Sequence, residues 1–511
     1  MSAELAPVVI SGAGPNGLLL AYELALAGIR PIVLDCLPGP SSEPKANGLV
    51  GQVVRTLDLR GLYGIFSGDQ DPPRPSPGWM FSAMPLDFSG LADNPMYAML
   101  MPQPRLVRLL EKQVRDLGVD LRWGHGLVGL QCGPDSVALT VAAPEGEYRL
   151  TADYLVGADG GHSLVRKTMG IAFPGSTSDT VGRIAHVHIP DHLRGADGAL
   201  DIPGFGRLSF GHTRVDRGGL IFAEFEQGRT LFGTLETGTA VEDTPMSVAE
   251  LRQSVRRLID VDIPFEEAKG TGPHALRRIN GWNTRQAERY RDGKVLLLGD
   301  AAHIHSAMGG PGLNLGLQDT VNLGWKLAAQ INGWAPADLL DTYQSERYPV
   351  GQRVMMHSLA QTALMAPGPE VGALRTLVGE LFAMEDVVAH MAGLLSGADV
   401  RYDVGNDHPL SGRLVPELQL DDGQRVAELL HTARPVLLDL HDGTAAEAAR
   451  GWRHRVDIVS ATAAENPAAA MLIRPDGYIA WATDAVEPFP EPDLNAALLR
   501  WFGAPAPQRR G

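Results

Sequence analysis

Six residues near the amino end, Gly12-Ala13-Gly14-Pro15-Asn16-Gly17, have the spacing GxGxxG, with which a chain can hold a pyrophosphate. The first glycine permits a tight turn, the second lets the backbone approach phosphate, and the third lets a helix pack closely on a strand. A helix opening there would turn unpaired N–H groups and its positive dipole end toward the phosphates. Asp35 stands about twenty residues further on, where an acid accepts hydrogen bonds from ribose hydroxyls. A solvated acid at a strand end is the alternative reading of Asp35. Glycine turns abound, so the motif carries weight only between a strand and a helix, and which dinucleotide it holds is open at this point.

The surrounding sequence supplies that setting. Val8 to Ser11 is a short β-branched run of the kind buried on both faces of a parallel sheet, Gly17 to Leu26 has helical spacing, and Arg30 to Asp35 (RPIVLD) reads as a second buried strand. Residues 68 to 79 are crowded with proline and read as an exposed connection. A helical pattern returns over residues 104 to 117, followed by strand-like VDLRWG and SVALTVAA. From about 174 to 275 the pattern becomes alternating strands (GRIAHVHI, RLSFGHT, GLIFAEFE, TLFGTL) separated by glycine-bearing turns, a mostly antiparallel sheet. After 276 come a buried strand in VLLLGD (295 to 300), a glycine-rich turn and a long helix, Leu315 to Ile331. Beyond about 405, strands alternate with helical runs, and Pro475-Asp476-Gly477 marks a tight hairpin. The fold class expected is α/β combined with α+β. Its first domain is discontinuous (1–70, 100–173 and 276–395), a sheet domain covers 71–99 and 174–275, and a smaller domain covers 405–511.

Composition narrows the function. With 511 residues, 44% hydrophobic and 20% charged, the chain is an ordinary globular protein with room for several cores. A formal charge of −16 argues against nucleic acid or an anionic membrane as partner. Cys36 and Cys132 are the only cysteines, too few for a disulfide framework or a CxxC metal site, so a reducing compartment is expected. The first apolar run contains Glu23 and several glycines and reads neither as a signal peptide nor as a membrane span, which makes the cytoplasm the default location.

Two further segments identify a family. Tyr154 to Arg166 reads YLVGADGGHSLVR, and Lys294 to Leu327 reads KVLLLGDAAHIHSAMGGPGLNLGLQDTVNLGWKL. With the GxGxxG turn they resemble, in order and spacing, the three signature motifs of the FAD-dependent aromatic-ring hydroxylases similar to para-hydroxybenzoate hydroxylase and phenol hydroxylase. The resemblance makes the first domain a Rossmann-like FAD-binding domain. It implies that Asp159, with Gly160, Ser163 and Arg166, lies near the pyrophosphate, and that Gly299 and Asp300 present an acid to the ribityl chain. Gly309, Gly310, Gly312, Leu313 and Asn314 would form the loop whose backbone approaches the flavin ring. A helix beginning near Asn314 would stabilise the negative charge of reduced flavin there. Lys45, Gln103 and Arg105 correspond to segments that contact the flavin nucleotide, a surface role for Lys45 or Arg105 being the alternative.

The sequence departs from the family at two points. Ala307 and Met308 stand where the family usually has proline beside the reactive flavin carbon, and Asp35-Cys36 replaces the usual Glu-Arg pair, with Cys36 read as a small buried residue. The resemblance assigns the antiparallel sheet to substrate, its inner face over the flavin ring. Phe210, His212, Phe222 and Phe225 are the candidates on it, Phe222 and Phe225 on opposite faces. His305, near the flavin loop, is a candidate base because histidine titrates near neutrality, with a satisfied loop histidine as the alternative. The region from 405 resembles the thioredoxin-like domain of phenol hydroxylase relatives, and the lack of CxxC excludes disulfide exchange there.

The activity so implied is an NAD(P)H:oxygen monooxygenase hydroxylating a bulky, multi-ring phenolic substrate of polyketide type through a flavin hydroperoxide. NADPH or NADH would serve as transient co-substrate, no metal is expected, and the chain could pair as a homodimer. The alternative is a Baeyer–Villiger or epoxidising flavin monooxygenase on a similar compound, antibiotic modification included.

Overall fold

The protein is described by a computed structural model covering residues 4–506 apart from 44, 226–227, 239–243, 271, 307 and 486. Its largest sheet has eight strands. Five run parallel, in the spatial order Val295–Leu297, Gly146–Gly157, Glu4–Ser11, Ile32–Asp35 and Asp120–Trp123. Val8, Val9 and Ile10 are wholly shielded from solvent, as a central parallel strand requires. The register sets Ser11 beside Gly157 and Gly157 beside Leu297, so the segments that follow these residues emerge together at the carboxyl edge of the sheet. Ligands of parallel α/β sheets bind at that edge.

Two helices frame the edge. The first, Pro15–Leu26, opens directly after the glycine turn, and the second, Pro311–Ile331, lies against it. The second helix is apolar nearly all round and buried along most of its length, which is the pattern of an interior helix. It starts at Pro311, four residues before the expected Leu315, because proline is preorganised for the first helical position and Gly310 supplies the left-handed turn before it (φ 69°).

The second sheet has six strands, all pairing antiparallel: Gly211–Val215, Gly218–Glu224, Thr230–Thr237, Thr180–His188, Glu266–Glu267 and Leu276–Asn280. A helix absent from the sequence reading, Val248–Ile259, covers its outer face. There Phe222, Phe232, Ala185 and Val187 pack with Leu251 and Val255. The inner face carries the alternate residues, and Ile221 and Leu235 on it pack against Met308 of the glycine-rich loop. A hairpin, Gly78–Phe81 with Met84–Asp87, shares an apolar cluster with the helices Thr342–Met365 and Glu385–Ser396.

In the C-terminal region the strand order is Asp457–Ser460, Val436–Asp439, Ala470–Ile473, Ile479–Thr483, the first pair parallel and the others antiparallel, which is the thioredoxin-like arrangement. Arg474 leaves this sheet and is fully buried, donating to Glu346 at 2.6 and 2.8 Å. Glu346 also accepts from Lys326 Nζ (2.7 Å) and Asn322 Nδ2 (2.6 Å), both on the helix Pro311–Ile331. Trp325, Tyr402 and Trp501 ring the guanidinium at 5.3, 5.2 and 4.7 Å. Cys36 is exposed rather than buried, because the strand ends at Asp35 and the next residue turns outward.

Candidate active site

The glycines at the carboxyl edge divide by what a side chain would meet. A β-carbon on Gly12 would lie 2.4 Å from the Ala158 carbonyl oxygen, and one on Gly17 would lie 1.9 Å from the Gly12 carbonyl oxygen. A β-carbon on Gly14 would meet nothing within 4 Å. Gly12 and Gly17 are therefore fixed by strand-to-helix packing, while Gly14, the residue capping the helix that begins at Pro15, borders open space where a pyrophosphate could approach backbone N–H groups. That open cradle fits a dinucleotide.

Asn16 joins the first motif to the third. Its amide lies where β-carbons on Gly299 and Gly316 would otherwise stand, 2.0 and 2.3 Å from their ideal positions. Its Oδ1 is buried without a hydrogen-bond partner. The Asp35 carboxylate accepts from Ala13 N (2.8 Å) and Leu37 N (2.9 Å), so it braces the glycine turn and keeps lone pairs for a further donor. Asp159 Oδ2 accepts from Val165 N (3.1 Å) and caps the turn, while its Oδ1 is buried and unpartnered. Ser163 Oγ accepts from Arg166 N at 3.0 Å, capping the short helix Leu164–Thr168. Arg166 faces inward: it donates to Ala301 O (2.9 Å) and Gly161 O (2.8 Å) over the Phe173 ring, clipping the second motif to the third.

Asp300 lies in the short turn Gly299–Ala301 that follows the strand Val295–Leu297, and it is exposed to solvent. The protein around it raises its carboxyl above the ordinary value, with His303 and Lys45 opposing. Lys45 is exposed and 3.3 Å from Glu43. Gln103 opens the helix Gln103–Asp116 and its N–H donates to Ala46 O (2.8 Å), while the exposed Arg105 donates to Phe66 O (3.1 Å). Gln103 is thus brought beside the segment of Lys45 and Ala46, and Arg105 lies two residues further along the helix.

The glycine-rich loop ends in Gly310. Asn314 Nδ2 donates to Gly310 O (2.8 Å), and its Oδ1 accepts from Val50 N (2.9 Å), which locks the first turn of the helix. Leu313 packs on the main core, and a β-carbon on Gly312 would stand 3.3 Å from the His305 ring. Ala307 lies outside the described residues.

His305 differs from the expectation of a base titrating near neutrality. Burial, reinforced by His303 and His357, holds it at about 3. Its ring is parallel to that of His303 with centroids 6.4 Å apart, and its Nε2 has no partner. It is a neutral imidazole packed beneath the loop.

The substrate candidates separate. Phe222 is corrected from cavity to core: it is 2% exposed and belongs to the outer face, under the helix Val248–Ile259. His212 is paired in register with Ile221 and so shares the inner face. Phe210 falls between strands, 56% exposed, and meets Phe225 edge-on at 5.5 Å. Phe225 follows the strand Gly218–Glu224 rather than lying in it.

Sequence reasoning missed the polar groups beneath the loop. Asp319 accepts from Arg347 Nε (2.6 Å) and lies 2.6 Å from His303 Nε2, all three being buried. Gln361 accepts from Ser82 N (3.2 Å), and its Nε2, buried and unpartnered, would stand 3.0 Å from a β-carbon on Gly309. The available signal was charge inside an apolar helix: Asp319 and Lys326 have no business in an interior helix without partners.

Comparison with known proteins agrees with this geometry. The FAD binding domain family matches residues 5–358, and the aromatic-ring hydroxylase C-terminal family matches residues 408–505. The chain is 40% identical over 514 residues to a 12-dehydrotetracycline 5-monooxygenase/anhydrotetracycline 6-monooxygenase of Streptomyces rimosus, covering 98% of this chain and 99% of that one. It is 36% identical over 503 residues to a rifampicin monooxygenase of Streptomyces venezuelae, covering 97% and 98%. The solved structure of an anhydrotetracycline hydroxylase from Streptomyces rimosus superposes with a TM-score of 0.87 at 39% identity, covering 98% of this chain and 100% of that chain. The chain belongs to the FAD-dependent aromatic-ring hydroxylases. It is a flavoprotein monooxygenase whose cofactor is FAD and whose co-substrates are NAD(P)H and oxygen.

Proposed function

We propose that this monooxygenase hydroxylates a bulky polycyclic aromatic compound of polyketide type. The observation that carries the reading is the position of the glycine-rich loop: Asn314 ties its end, Gly310, to Val50, and Met308 within it meets the apolar inner face of the antiparallel sheet. The relatives' substrates, 12-dehydrotetracycline, anhydrotetracycline and rifampicin by name, support a large multi-ring ligand.

In this reading Gly12, Gly14, Pro15, Asn16 and Gly17 receive the pyrophosphate and Asp35 the adenosine ribose. Lys45, Gln103, Arg105 and Asp159 border the nucleotide, Asp300 takes the ribityl hydroxyls, and Gly310, Gly312, Leu313 and Asn314 approach the ring. FAD, when bound, supplies the redox chemistry, by which NAD(P)H is oxidised and one atom of oxygen enters the substrate while the other leaves as water. The chain's own part is to position the substrate and exclude water. With FAD bound, the N-terminus of the helix Pro311–Ile331 would offer its positive dipole end to negative charge on the ring. Apolar Met308, Ile221, Leu235 and Met365 keep the cavity wall dry, and His212 brings a polar group to the inner face beside Ile221. No side chain is required as a nucleophile.

The proposal includes domain limits of 1–70, 100–173 and 276–395 for FAD, 71–99 and 174–275 for substrate, and 405–511 for the C-terminal domain. It includes a cytoplasmic homodimer that engages neither nucleic acid nor membrane; among the described residues, no helix is long and apolar enough to cross a membrane. Solution mass tests the dimer. The activity is tested by following NADPH oxidation under labelled oxygen with a panel of polycyclic phenols. One labelled atom on a ring carbon is expected. A label inserted between ring carbons would move the reading to Baeyer–Villiger chemistry, and substrate oxidation without label would overturn it.

A further inference from the structure

A cleft of about 440 Å³ opens between the hairpin at Met84 and Pro85, the strand Gly211–Val215 and the helix Pro369–Leu381. Two arginines line it, Arg214 from the inner face of the antiparallel sheet and Arg375 from the helix. Neither lies within ion-pair distance of a carboxylate among the described residues, Glu370 in the first turn of the same helix included. Two half-buried like charges facing one cleft repel each other, and an anion between them would relieve that repulsion.

Both guanidiniums are held in place by main-chain carbonyls. Arg214 donates to Ala366 O (3.0 Å) and Gly368 O (3.1 Å), and Arg375 donates to Ser82 O (2.6 Å) and Leu364 O (3.0 Å). Arg214 Nη1 and Arg375 Nε and Nη2 make none of these bonds and remain as donors toward the cleft. The two guanidiniums line the same cleft, and burial together with the neighbouring Arg214 lowers the Arg375 pKa. The walls are otherwise apolar or small: Met84, Pro85, Phe382, Gly372 and Gly379.

The cleft is joined to the glycine-rich loop by direct bonds. Arg375 holds Ser82, Ser82 holds Gln361 through its N–H (3.2 Å) and hydroxyl (2.7 Å), and Gln361 lies beside Gly309. On the sheet, Arg214 pairs in register with Gly219, two positions from Ile221 on the same inner face, and Ile221 meets Met308. An anion here would belong to a flat apolar molecule reaching inward toward the loop.

We infer that Arg214 and Arg375 form an anion subsite at the outer end of the substrate cavity, which takes the ionised oxygen of an acidic polycyclic phenol or enol. The choice of ligand rests on the polycyclic reading above; the pair and its cleft do not. Fixed guanidiniums favour the ionised form of such a ligand and orient its far ring, leaving the opposite ring for the loop.

The test is a binding titration that needs no turnover. Alizarin, a polycyclic phenol whose absorption moves to the red on ionisation, is added to the FAD-loaded protein at a pH below its free pKa, beside its dimethyl ether. The wild type is expected to turn bound alizarin red and to bind it at least about tenfold more tightly than the ether. Arg375→Met is expected to lose that preference and the red shift together. Because Arg375 also tethers Ser82, Thr376→Glu serves as a second variant: it adds a carboxylate at the exposed rim of the same cleft and leaves both arginines in place. It too should abolish the shift. A wild type that shows no red shift, or variants that weaken alizarin and ether equally, would overturn the subsite. Failure to incorporate labelled oxygen with the shift intact would instead remove the hydroxylase reading and leave the subsite standing.

Discussion

The amide of Asn16 fills the space that a β-carbon on Gly316 would need, 2.3 Å from its ideal position. The first and third motifs are therefore interlocked as solids, besides being neighbours in the fold. Gly316→Ala is expected to lower stability by about 1–3 kcal/mol through overpacking and to reduce FAD content. Adding Asn16→Ala should recover part of the stability, since residues in contact couple. Thermal melts of the four proteins check it; purely additive losses would sink the interlock.

Gly14 and Gly17 belong to one motif but should fail differently. Gly17→Ala places a methyl 1.9 Å from a carbonyl oxygen and is expected to yield little folded protein. Gly14→Ala meets nothing within 4 Å and should fold within about 0.5 kcal/mol of wild type while binding FAD at least tenfold more weakly. Circular dichroism and FAD titration together separate the two; a Gly14→Ala protein with wild-type FAD affinity would remove the pyrophosphate cradle from Gly14.

His305, at about 3, is neutral throughout the working range. The turnover profile between about pH 5 and 8 is expected to be the same in His305→Gln as in wild type, with no histidine inflection lost. Its effect falls on stability instead. The unfolded imidazole takes up a proton near 6.5 and the folded one does not, so its contribution is complete above about pH 6.5 and drains as pH falls toward 3. An inflection near neutrality that vanishes in His305→Gln would restore the catalytic idea.

Burial alone would raise the Glu346 carboxyl, but Arg474 and Lys326 override it and hold it far below the ordinary range. The folded state then holds fewer protons than the unfolded one below about pH 4.3, so this stabilisation is complete above that pH and lost as pH falls through it. Glu346→Gln leaves two buried cations facing a neutral amide and should cost about 3–5 kcal/mol at neutral pH. Denaturant melts at pH 7 and pH 4 measure both effects, and a variant whose deficit is equal at the two values would contradict the assignment.

The parallel sheet, its glycine turn and the order of the three motifs were legible because each rests on short-range rules: buried runs, turn glycines, a helix after a strand. Phe222 was not legible, since alternation separates the two faces of a strand without saying which one the helix Val248–Ile259 will cover, and that helix was itself hidden among strand-like segments. The choice between the two readings of His305 was not legible, because its pKa is set first by burial and then by His303 and His357, of which His357 arrives from a helix some fifty residues on. Arg214 and Arg375 could not be paired from sequence at all. Nothing local links a strand of the middle sheet to a surface helix, and only the tertiary fold brings both to one cleft.

The Arg474–Glu346 bond also orders events during synthesis. Glu346 and Lys326 leave the ribosome well before Arg474 does, and until it arrives the carboxylate on the helix Thr342–Met365 lacks its strongest partner. Domains that fold as they emerge can settle at once. Here the carboxylate shared by the helices Pro311–Ile331 and Thr342–Met365 gains its guanidinium partner only from the final sheet, so the last strands to be made complete an ion cluster begun in the cofactor half.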